Sequence, residues 1–384
     1  MEIVGIICEY NPLHLGHQKQ IRHIRTQFGD DTAVVCLMSG NFVQRGAPAI
    51  FDKSLRTKAA IAAGADLVLE MPITCALSSA EGFAAGGVSV LGTFCDHLCF
   101  GSETGDTEGL MTIAKALLAE SFPERLRAEL DKGLCFPAAR QAALGELGAL
   151  LRNPNDILAV EYCKAILTQG CAMAPLPIRR EGWYHAETPD PENPSATAIR
   201  SLILKGKDWS SYVPDAALYD GAAIHTISAA EKAILYRLRT MTDEEFEALP
   251  YGSEGLWRKL MHASRSCATR EEIIAATKSK RYTRTRIDRM ILCAFLGISQ
   301  EMLETPAPYT RVLALNDTGR EVLKKARQAG HFPNIGERID HPYQALERRA
   351  DDLYALCAAQ PERPGQTDAR RILYSPLHSK KAPL

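Results

Sequence analysis

The sequence predicts an α/β protein, with a Rossmann-like parallel sheet in residues 1–215 followed by a mainly helical second domain in residues 216–384. In the first third of the chain, short apolar runs alternate with helix-like stretches, which is the spacing typical of strand–helix–strand units. Beyond residue 215 the strand patterns fade, and helical periodicity runs through residues 229–301, 318–328 and 342–358. The length of 384 residues agrees with two or three domains, since a domain averages roughly 150 residues.

Each strand and helix of the sheet domain is predicted from the local pattern of apolar residues. The predicted strands are the apolar runs 2–8, 32–38, 65–70 and 97–100, with a shorter one at 176–180. The predicted helices are residues 16–28, 53–63, 79–91, 155–167 and 194–204, together with the Ala-, Leu- and Glu-rich segment 108–151. Residues 187–195 contain three prolines and are predicted to form a loop. Because ligands of such sheets bind at the carboxyl ends of the strands, we expect the functional site there.

Charge and composition exclude several classes of protein. Hydrophobic residues are 46% and charged residues 24% of the chain, which excludes a mainly disordered protein. The net charge is −1, so any nucleic-acid site has to be a local patch. No apolar run approaches the roughly 18 residues that span a bilayer, and the N-terminus lacks the basic region of a signal peptide. We therefore expect a cytoplasmic protein without membrane association, and the sequence implies no protein partner.

The 11 cysteines do not predict a metal site. The closest pair, Cys95 and Cys99, is four residues apart, and the chain has no CxxC motif. Structural zinc sites usually show two close pairs of ligands. The cysteines are therefore predicted to be buried free thiols in a reducing compartment.

The strongest motif is HxGH, formed by His14, Gly16 and His17 directly after the first predicted strand. A helix that begins here presents unpaired backbone N–H groups and the positive end of its dipole. Gly16 lets the backbone approach a ligand closely, and the two histidines can donate to phosphate oxygens. The alternative is a pair of solvated loop histidines, but the strand–turn–helix context favours a nucleotide site. No Walker-type lysine is present, so this is not a P-loop.

A second phosphate contact is predicted at Ser195, Thr197 and Arg200. Ser195 is a plausible N-cap, and a Ser/Thr-x-Ile-Arg string usually accompanies HxGH in adenylyl transfer enzymes. Simple helix capping explains this string equally well when it is taken alone. The two motifs together are much more specific than either one.

Longer strings of the chain carry a resemblance to a known family. They are GIICEYNPLHLGH (5–17), MSGNFVQRG (38–46), PAIFDK (48–53), GADLVLEMP (64–72), FGSE (100–103), NDILAVEY (155–162) and KRYTRTR (280–286). The chain resembles the HIGH-type nucleotidylyltransferase superfamily, and within it the bacterial tRNA(Met) cytidine acetate ligases. The strings extend over nearly the whole chain.

This resemblance implies a reaction. Members of the family use ATP to convert acetate into acetyl-adenylate, and they pass the acetyl group to the exocyclic amine of the wobble cytidine of elongator tRNA(Met). The resemblance also implies an ATP site. Its residues would be Ile7, Cys8, Glu9, Tyr10, Asn11, Pro12, Leu13, His14, Leu15, Gly16, His17, Gln18, Lys19, Gln20, Gly101, Asn155 and Arg180. Asn153 and Arg179 remain alternatives to Asn155 and Arg180, and Trp183 departs from the small residues expected before Tyr184 and His185.

Roles for the site residues follow from the chemistry of adenylate formation. His14 and His17 are predicted to stabilise charge on the phosphate oxygens. Mg²⁺ is expected for the triphosphate, and it would be carried on ATP because no carboxylate cage is visible.

A substrate pocket is predicted after the second strand. Ser39, Gly40 and Asn41, with Asp52 and Lys53, would hold acetate or cytidine. The alternative is that Gly40 forms a turn, Asp52 caps a helix and Lys53 is solvated.

One basic cluster lies in the second domain. It comprises Lys278, Lys280, Arg281, Arg284, Arg286 and Arg289, with Asp288 as the acid within the same segment. Such a patch can neutralise tRNA phosphates, and the intervening Tyr282 can stack on a base. The alternative is an ordinary solvated helix face.

Two other function classes remain open at this point. A small-molecule adenylyltransferase of coenzyme biosynthesis would share both phosphate motifs, but it would not need a helical domain with a basic patch. A non-catalytic RNA-binding protein could keep the fold, although the intact HxGH motif argues against it.

Overall fold

Nine strands are present in the computed structural model, which describes residues 1–179, 190, 194–365 and 370–376. They are β1 (Ile3–Cys8), β2 (Ala33–Ser39), β3 (Phe42–Val43), β4 (Ala47–Pro48), β5 (Leu67–Met71), β6 (His97–Ser102), β7 (Ala174–Arg179), β8 (Arg311–Leu315) and β9 (Leu373–Tyr374). Seven of them form one sheet in the order β7-β6-β1-β2-β5-β8-β9, while β3 and β4 form a separate antiparallel hairpin.

The main sheet is parallel except where β8 runs antiparallel to β5. From β1 the chain continues to β2 and β5 on one side, and it then returns to β6 and β7 on the other. The switch point therefore lies between β1 and β6. In open α/β sheets, ligands bind in the crevice outside the carboxyl ends of the strands at such a point.

The described residues also form 17 α-helices. They are α1 (Leu15–Phe28), α2 (Lys53–Ala62), α3 (Ile73–Ala76), α4 (Ala80–Leu91), α5 (Thr107–Leu118), α6 (Phe122–Asp131), α7 (Phe136–Ala143), α8 (Pro154–Gln169), α9 (Ala196–Leu204), α10 (Glu231–Thr240), α11 (Asp243–Glu247), α12 (Leu256–Ser266), α13 (Arg270–Thr277), α14 (Arg284–Leu296), α15 (Gln300–Glu304), α16 (Asp317–Ala329) and α17 (Pro342–Tyr354). Short 3-10 helices span Gly145–Arg152, Ser210–Tyr212, Ala216–Tyr219 and Ala355–Cys357. Within the described ranges, none of these helices has the length and apolar character needed to cross a membrane.

The side chains of each strand point alternately to the two faces of the sheet, and this divides the apolar core into two layers. In β2, Val35 and Leu37 pack with α4, α8 and α16 on one face of the sheet. Val34 and Cys36 pack with α1, α2 and α9 on the other face. Successive side chains of a strand point to opposite faces, so a strand covered on both sides is apolar throughout. A third apolar cluster holds α10, α12, α13, α14 and α17 together as the helical part.

The predicted α/β fold is confirmed, but the chain after residue 215 contains strands that the sequence analysis missed. β8 and β9 join the main sheet, and α16 packs on it, so residues 216–384 are not one continuous helical unit. The run Arg311–Leu315 is short and begins with a charged residue, and β9 has two residues. Neither segment shows the alternation of apolar and polar residues that marks a strand in a sequence. Both are stabilised by pairing with strands far away in the chain. The division at residue 215 stays a prediction.

A buried polar network joins the helical part to the sheet. The Lys53 Nζ atom lies 2.7 Å from Glu70 Oε1 and 2.8 Å from Asp351 Oδ2. Asn41 Nδ2 donates to Asp351 Oδ1 at 2.8 Å. Burial opposes the charge on Lys53, but the carboxylates of Asp351 and Glu70 outweigh it and hold the pKa of Lys53 above its usual value. Asp351 belongs to α17, so this network fixes α17 against β5 and α2.

Replacing Lys53 by methionine is expected to destabilise the protein strongly. Glu70 and Asp351 would remain buried without their cation, which costs about 3–5 kcal/mol of unfolding free energy. The measurement is the urea unfolding transition. Lys324→Met is the matched control, since Lys324 pairs with Glu321 on the surface and should change stability by about 1 kcal/mol or less. Equal losses in the two variants would contradict a stabilising role for the network.

Candidate functional site

A cavity of about 440 Å³ opens at the carboxyl ends of β1, β6 and β7, beside the start of α1. The residues that line it are Ile6, Ile7, Cys8, Glu9, Tyr10, Asn11, His14, Gly16, His17, Lys19, Gln20, His23, Arg45, Phe100, Gly101, Asn155, Leu158, Tyr162, Ile178, Arg179, Pro194, Ser195, Ala196, Thr197 and Arg200. The cavity therefore lies at the topological switch point of the sheet.

The two histidines of the HxGH motif begin α1 at the cavity. His14 is the N-cap of the helix, and its backbone N–H donates to His17 Nδ1 at 3.2 Å. The two rings stack with their centroids 3.7 Å apart. The first turn of α1 contains no acidic residue. The helix N-terminus therefore presents backbone N–H groups and a positive dipole end to an anion in the cavity.

Gly16 packs closely against the first histidine of the motif. A Cβ atom at this position would lie 3.1 Å from Cε1 of the His14 ring. Sequence reasoning explained Gly16 by the close approach of a ligand. The structure adds that any side chain here would press on His14 and disturb the stacked pair.

Three segments distant in sequence meet at Asn11. Its side-chain Oδ1 accepts from the Ile50 N–H at 2.8 Å, and its carbonyl accepts from Arg200 Nη1 at 2.7 Å. Arg200 Nη2 also donates to Thr197 Oγ1, and Ser195 caps α9 by accepting from the Ala198 N–H. The predicted second phosphate motif therefore lies beside the HxGH turn, with Arg200 linking the two.

The opposite wall of the cavity comes from α8 and β7. Asn155 lines the cavity, and its Nδ2 donates to Glu103 Oε1 at 2.7 Å. Asn153 is the N-cap of α8 and is not among the lining residues. Arg179 lies at the end of β7 and lines the cavity. The predicted Arg180 lies outside the described residues, and so do Trp183, Tyr184 and His185.

Most of the predicted ATP-site residues line the cavity, but four residues of the segment 7–20 do not. These are Pro12, Leu13, Leu15 and Gln18. Leu13 is buried in the apolar layer beneath the turn. Sequence reasoning assigned no cavity role to Ile6, His23, Arg45, Phe100, Leu158, Tyr162, Ile178, Pro194 or Ala196, which also line it. Most of these belong to elements that only the folded sheet brings to β1.

The electrostatics of the cavity favour an anion. Its described lining contains the cations Lys19, Arg45, Arg179 and Arg200, with Glu9 as the carboxylate. Burial raises the pKa of the Cys8 thiol well above its usual value, and the neighbouring Cys36 adds to the effect. A neutral thiol is a poor nucleophile, so burial disfavours covalent chemistry at Cys8.

The predicted pocket residues Ser39, Gly40, Asn41, Asp52 and Lys53 are neighbours in the fold, since Asn41 Oδ1 accepts from the Lys53 N–H at 2.8 Å and both Gly40 and Asn41 line a second, small cavity of about 20 Å³. Their assignment as a substrate pocket stays a prediction. None of them lines the large cavity. Asp52 caps α2 by accepting from the Ser54 and Leu55 N–H groups, as the alternative prediction had it. Lys53 is buried in its ion pairs and is not solvated, so this part of the alternative is wrong.

The basic cluster lies at the N-terminal half of α14 and in the loop before it. Lys278 and Lys280 are exposed, and so are Arg281 and Arg284, whose guanidinium groups pair with Glu254 and Glu271. The other two predicted arginines are used within the fold. Arg286 donates to the Tyr251 carbonyl at 2.7 Å, and Arg289 is buried.

The predicted stacking residue of the cluster is also buried. Tyr282 is 7% exposed, and its hydroxyl donates to the Glu254 carbonyl at 3.3 Å. It is therefore not available to stack on an RNA base. The cluster residues that remain exposed are the charged side chains of Lys278, Lys280, Arg281 and Arg284.

Comparison with known proteins identifies the family. A model of the HIGH nucleotidyl transferase family matches residues 1–368. The tRNA(Met) cytidine acetate ligase of Acetivibrio thermocellus is 33% identical over an alignment of 422 positions, which covers 97% of this chain and 100% of that relative. The tRNA(Met) cytidine acetate ligase of Clostridium novyi is 38% identical, over 87% of this chain and 89% of the relative.

The chain belongs to the tRNA(Met) cytidine acetate ligases of the HIGH nucleotidyl transferase family. The resemblance seen in the sequence is thereby confirmed. Two solved structures of Thermotoga maritima TmcAL share the fold at 28% identity, each covering 98% of this chain and 100% of that protein. The TM-score is 0.88 for the apo form and 0.86 for a form bound with alpha-thio ATP.

The described residues contain no group of three or more His, Cys, Asp or Glu side chains placed to hold a metal ion. The cations of the cavity lining are Lys and Arg side chains, which pair with phosphate directly. The protein therefore offers phosphate-binding groups at this site.

Thiol reactivity is expected to separate exposed cysteines from buried ones. Burial raises the pKa of Cys99 to about 12 and raises that of Cys8 well above its usual value, so neither forms thiolate near neutral pH. Cys135 is exposed. Iodoacetamide at pH 7.5 should label Cys135 and leave Cys8 and Cys99 unmodified, as read by peptide mass spectrometry. Denatured protein, in which all three react, is the control, and labelling of native Cys8 at the rate of Cys135 would contradict the burial argument.

Proposed function

We propose that this protein is an ATP-dependent ligase that acetylates the exocyclic amine of the wobble cytidine of elongator tRNA(Met), giving N-acetylcytidine. The observation that carries the proposal is the cationic cavity at the HxGH turn, in a chain that matches the full length of a tRNA(Met) cytidine acetate ligase. A small-molecule adenylyltransferase would not need the separate helical part with its exposed lysines and arginines.

The first half-reaction activates acetate. A carboxylate oxygen attacks the α-phosphorus of ATP, the bond from this phosphorus to the bridging oxygen breaks, and pyrophosphate leaves with acetyl-adenylate as the product. His14 and His17, at the start of α1, would donate to phosphate oxygens, and the helix dipole would favour their negative charge. Lys19, Arg179 and Arg200 would stabilise charge elsewhere on the triphosphate.

The second half-reaction transfers the acetyl group. The cytidine amine attacks the acetyl carbonyl carbon, AMP leaves, and the amine loses a proton. The neutral thiol of Cys8 argues for direct transfer from the adenylate, without an acyl-enzyme intermediate. Holding both substrates in one cavity would supply much of the rate enhancement through proximity.

Mg²⁺ is proposed to enter on ATP, where it neutralises triphosphate charge. The tRNA is proposed to bind the helical part, over the face that carries Lys278, Lys280, Arg281 and Arg284. The tRNA would thus bind the helical part, while the part built on the main sheet would hold ATP and acetate. The protein would act in the cytoplasm, where tRNA is modified.

The test of this function is pyrophosphate release from ATP with a panel of short carboxylates, with and without tRNA, followed by mass spectrometry of the tRNA nucleosides. Acetate should support pyrophosphate release and N-acetylcytidine should appear in the tRNA. Replacing His14 or His17 by alanine should lower adenylate formation by about tenfold or more, because each removes a donor to the phosphates.

The controls separate chemistry from folding. Circular dichroism should show that each histidine variant remains folded, and the unfolding temperature should change much less than the rate. Full activity in both variants would remove the histidines from the mechanism. Pyrophosphate release that ignores both acetate and tRNA would favour a coenzyme-type adenylyltransferase.

The exposed lysines before α14 provide a test of the tRNA surface. Replacing Lys278 and Lys280 together by glutamate should weaken tRNA binding by about tenfold or more and flatten its salt dependence, since each lost phosphate contact lowers the log–log slope by about 0.7–0.9. Filter binding across a salt series measures both. The same change at Lys324 and Lys325, exposed on α16, is the charge-matched control. Equal affinity in the two double variants would exclude the face before α14.

A further inference from the structure

The β3–β4 hairpin places an arginine at the mouth of the cavity. Arg45 lies at the turn of this hairpin and lines the cavity, yet it is exposed. By contrast, Tyr10 and His14 are 1% and 2% exposed. Arg45 is therefore a rim residue, while the groups that would meet the α-phosphate lie deep in the cavity.

The hairpin is anchored firmly on α14. A Cβ atom on Gly46, whose φ is +79°, would lie 2.5 Å from the Arg289 backbone nitrogen, so the two backbones are in direct contact. Arg289 Nη1 also donates to the Gln44 carbonyl at 3.4 Å. The helix that begins with the basic cluster thus holds the residues on both sides of Arg45.

The same turn is fixed on the catalytic side. The Gln44 N–H donates to Glu9 Oε1 at 3.0 Å, and Glu9 follows β1 and lines the cavity. Gln44 Nε2 donates to the Ser78 carbonyl at 3.3 Å. The backbone around Arg45 therefore connects the strand that leads to the HxGH turn with the helix that leads from the basic cluster.

The topology separates Arg45 from the other cavity arginines. Arg179 ends β7, which lies beyond β6 on one side of β1. Arg45 follows β2, the neighbour of β1 on the other side. The proposed ATP contacts come from the start of α1, from β7 and from α9. A substrate that reaches the cavity from α14 would therefore pass Arg45 before it meets ATP.

We propose that Arg45 binds a backbone phosphate of the RNA beside the target cytidine and positions that nucleotide for acetyl transfer. The inference rests on the proposed function and adds a specific contact to it. A guanidinium presents paired N–H donors that match two phosphate oxygens, and a rigid backbone lowers the cost of fixing that geometry. Arg45 thus continues the basic surface of α14 to the mouth of the cavity.

The test compares the two half-reactions in Arg45→Ala. Acetate-dependent exchange of pyrophosphate into ATP reports the first, and formation of N-acetylcytidine at limiting tRNA reports the second. The ratio of acetylation to exchange should fall by about tenfold or more, the size expected for a lost charge-assisted contact. Arg45→Lys should restore part of it, because lysine keeps the charge but not the paired donors.

The salt dependence of tRNA binding distinguishes a phosphate contact of Arg45 from a structural role. A structural role would leave the slope of log affinity against log salt unchanged. Loss of one phosphate contact should lower the log–log slope by about 0.7–0.9 in Arg45→Ala. Arg127→Ala is the matched control, since Arg127 is exposed on α6 and does not line the cavity. It should retain the wild-type ratio and slope.

Each other outcome overturns the proposal in a recognisable way. An equal fall in exchange and acetylation would assign Arg45 to ATP or acetate. Wild-type rates of both exchange and acetylation, with an unchanged salt slope, would remove it from both substrates. Absence of acetate-dependent exchange in the wild-type protein, with or without tRNA, would instead refute the proposed function itself.

Discussion

The site depends on one buried guanidinium, that of Arg56. Arg56 is fully buried on α2 and donates to four backbone carbonyls. Its acceptors are the carbonyls of Glu9, Ser39, Gly40 and Phe51. Glu9 and Gly40 directly follow β1 and β2, Ser39 ends β2 and Phe51 precedes α2, and leaving buried carbonyls unpaired at these positions would be costly. Arginine provides enough donors in a fixed geometry to satisfy all four.

The hydrogen bonds of Arg56 fix the parts of the cavity relative to one another. The Glu9 carbonyl lies at the entrance to the HxGH turn, while Ser39 and Gly40 lead into the β3–β4 hairpin. The hairpin in turn contacts α14, and α17 is fixed through Asp351 to Lys53, at the start of α2. The sheet and the helical part therefore meet where ATP and RNA would meet. A ligase with two substrates of very different size requires this alignment, because transfer needs both reacting atoms held together.

Much of the site was predictable because its signals are local. The residues from Ile7 to Gln20 include the end of a strand, a turn and the start of a helix, and each is marked by residue type within a few positions. Asn155 was also recognisable from its neighbours. The chain could not show that Asp52 is a cap or that Lys53 is buried, because the acceptors and carboxylates around them include Asp351, which is 298 positions from Lys53. Tyr282 is an aromatic residue between basic ones, which is the pattern expected for base stacking, but its burial follows from packing.

The sequence by itself determined the parallel sheet domain, the HxGH turn, the helical character of residues 229–301 and, through long family strings, the reaction class. The sheet, the turn and the helical segment follow from apolar periodicity and from local backbone requirements, whereas the reaction class follows from the family resemblance. Only the tertiary structure decided that β8 and β9 return to the sheet, that α8, β7 and the hairpin contribute to the cavity wall, and which cations of the basic cluster face solvent. Such features depend on contacts between residues far apart in the chain. Burial and pairing are properties of those contacts, and residue type alone does not specify them.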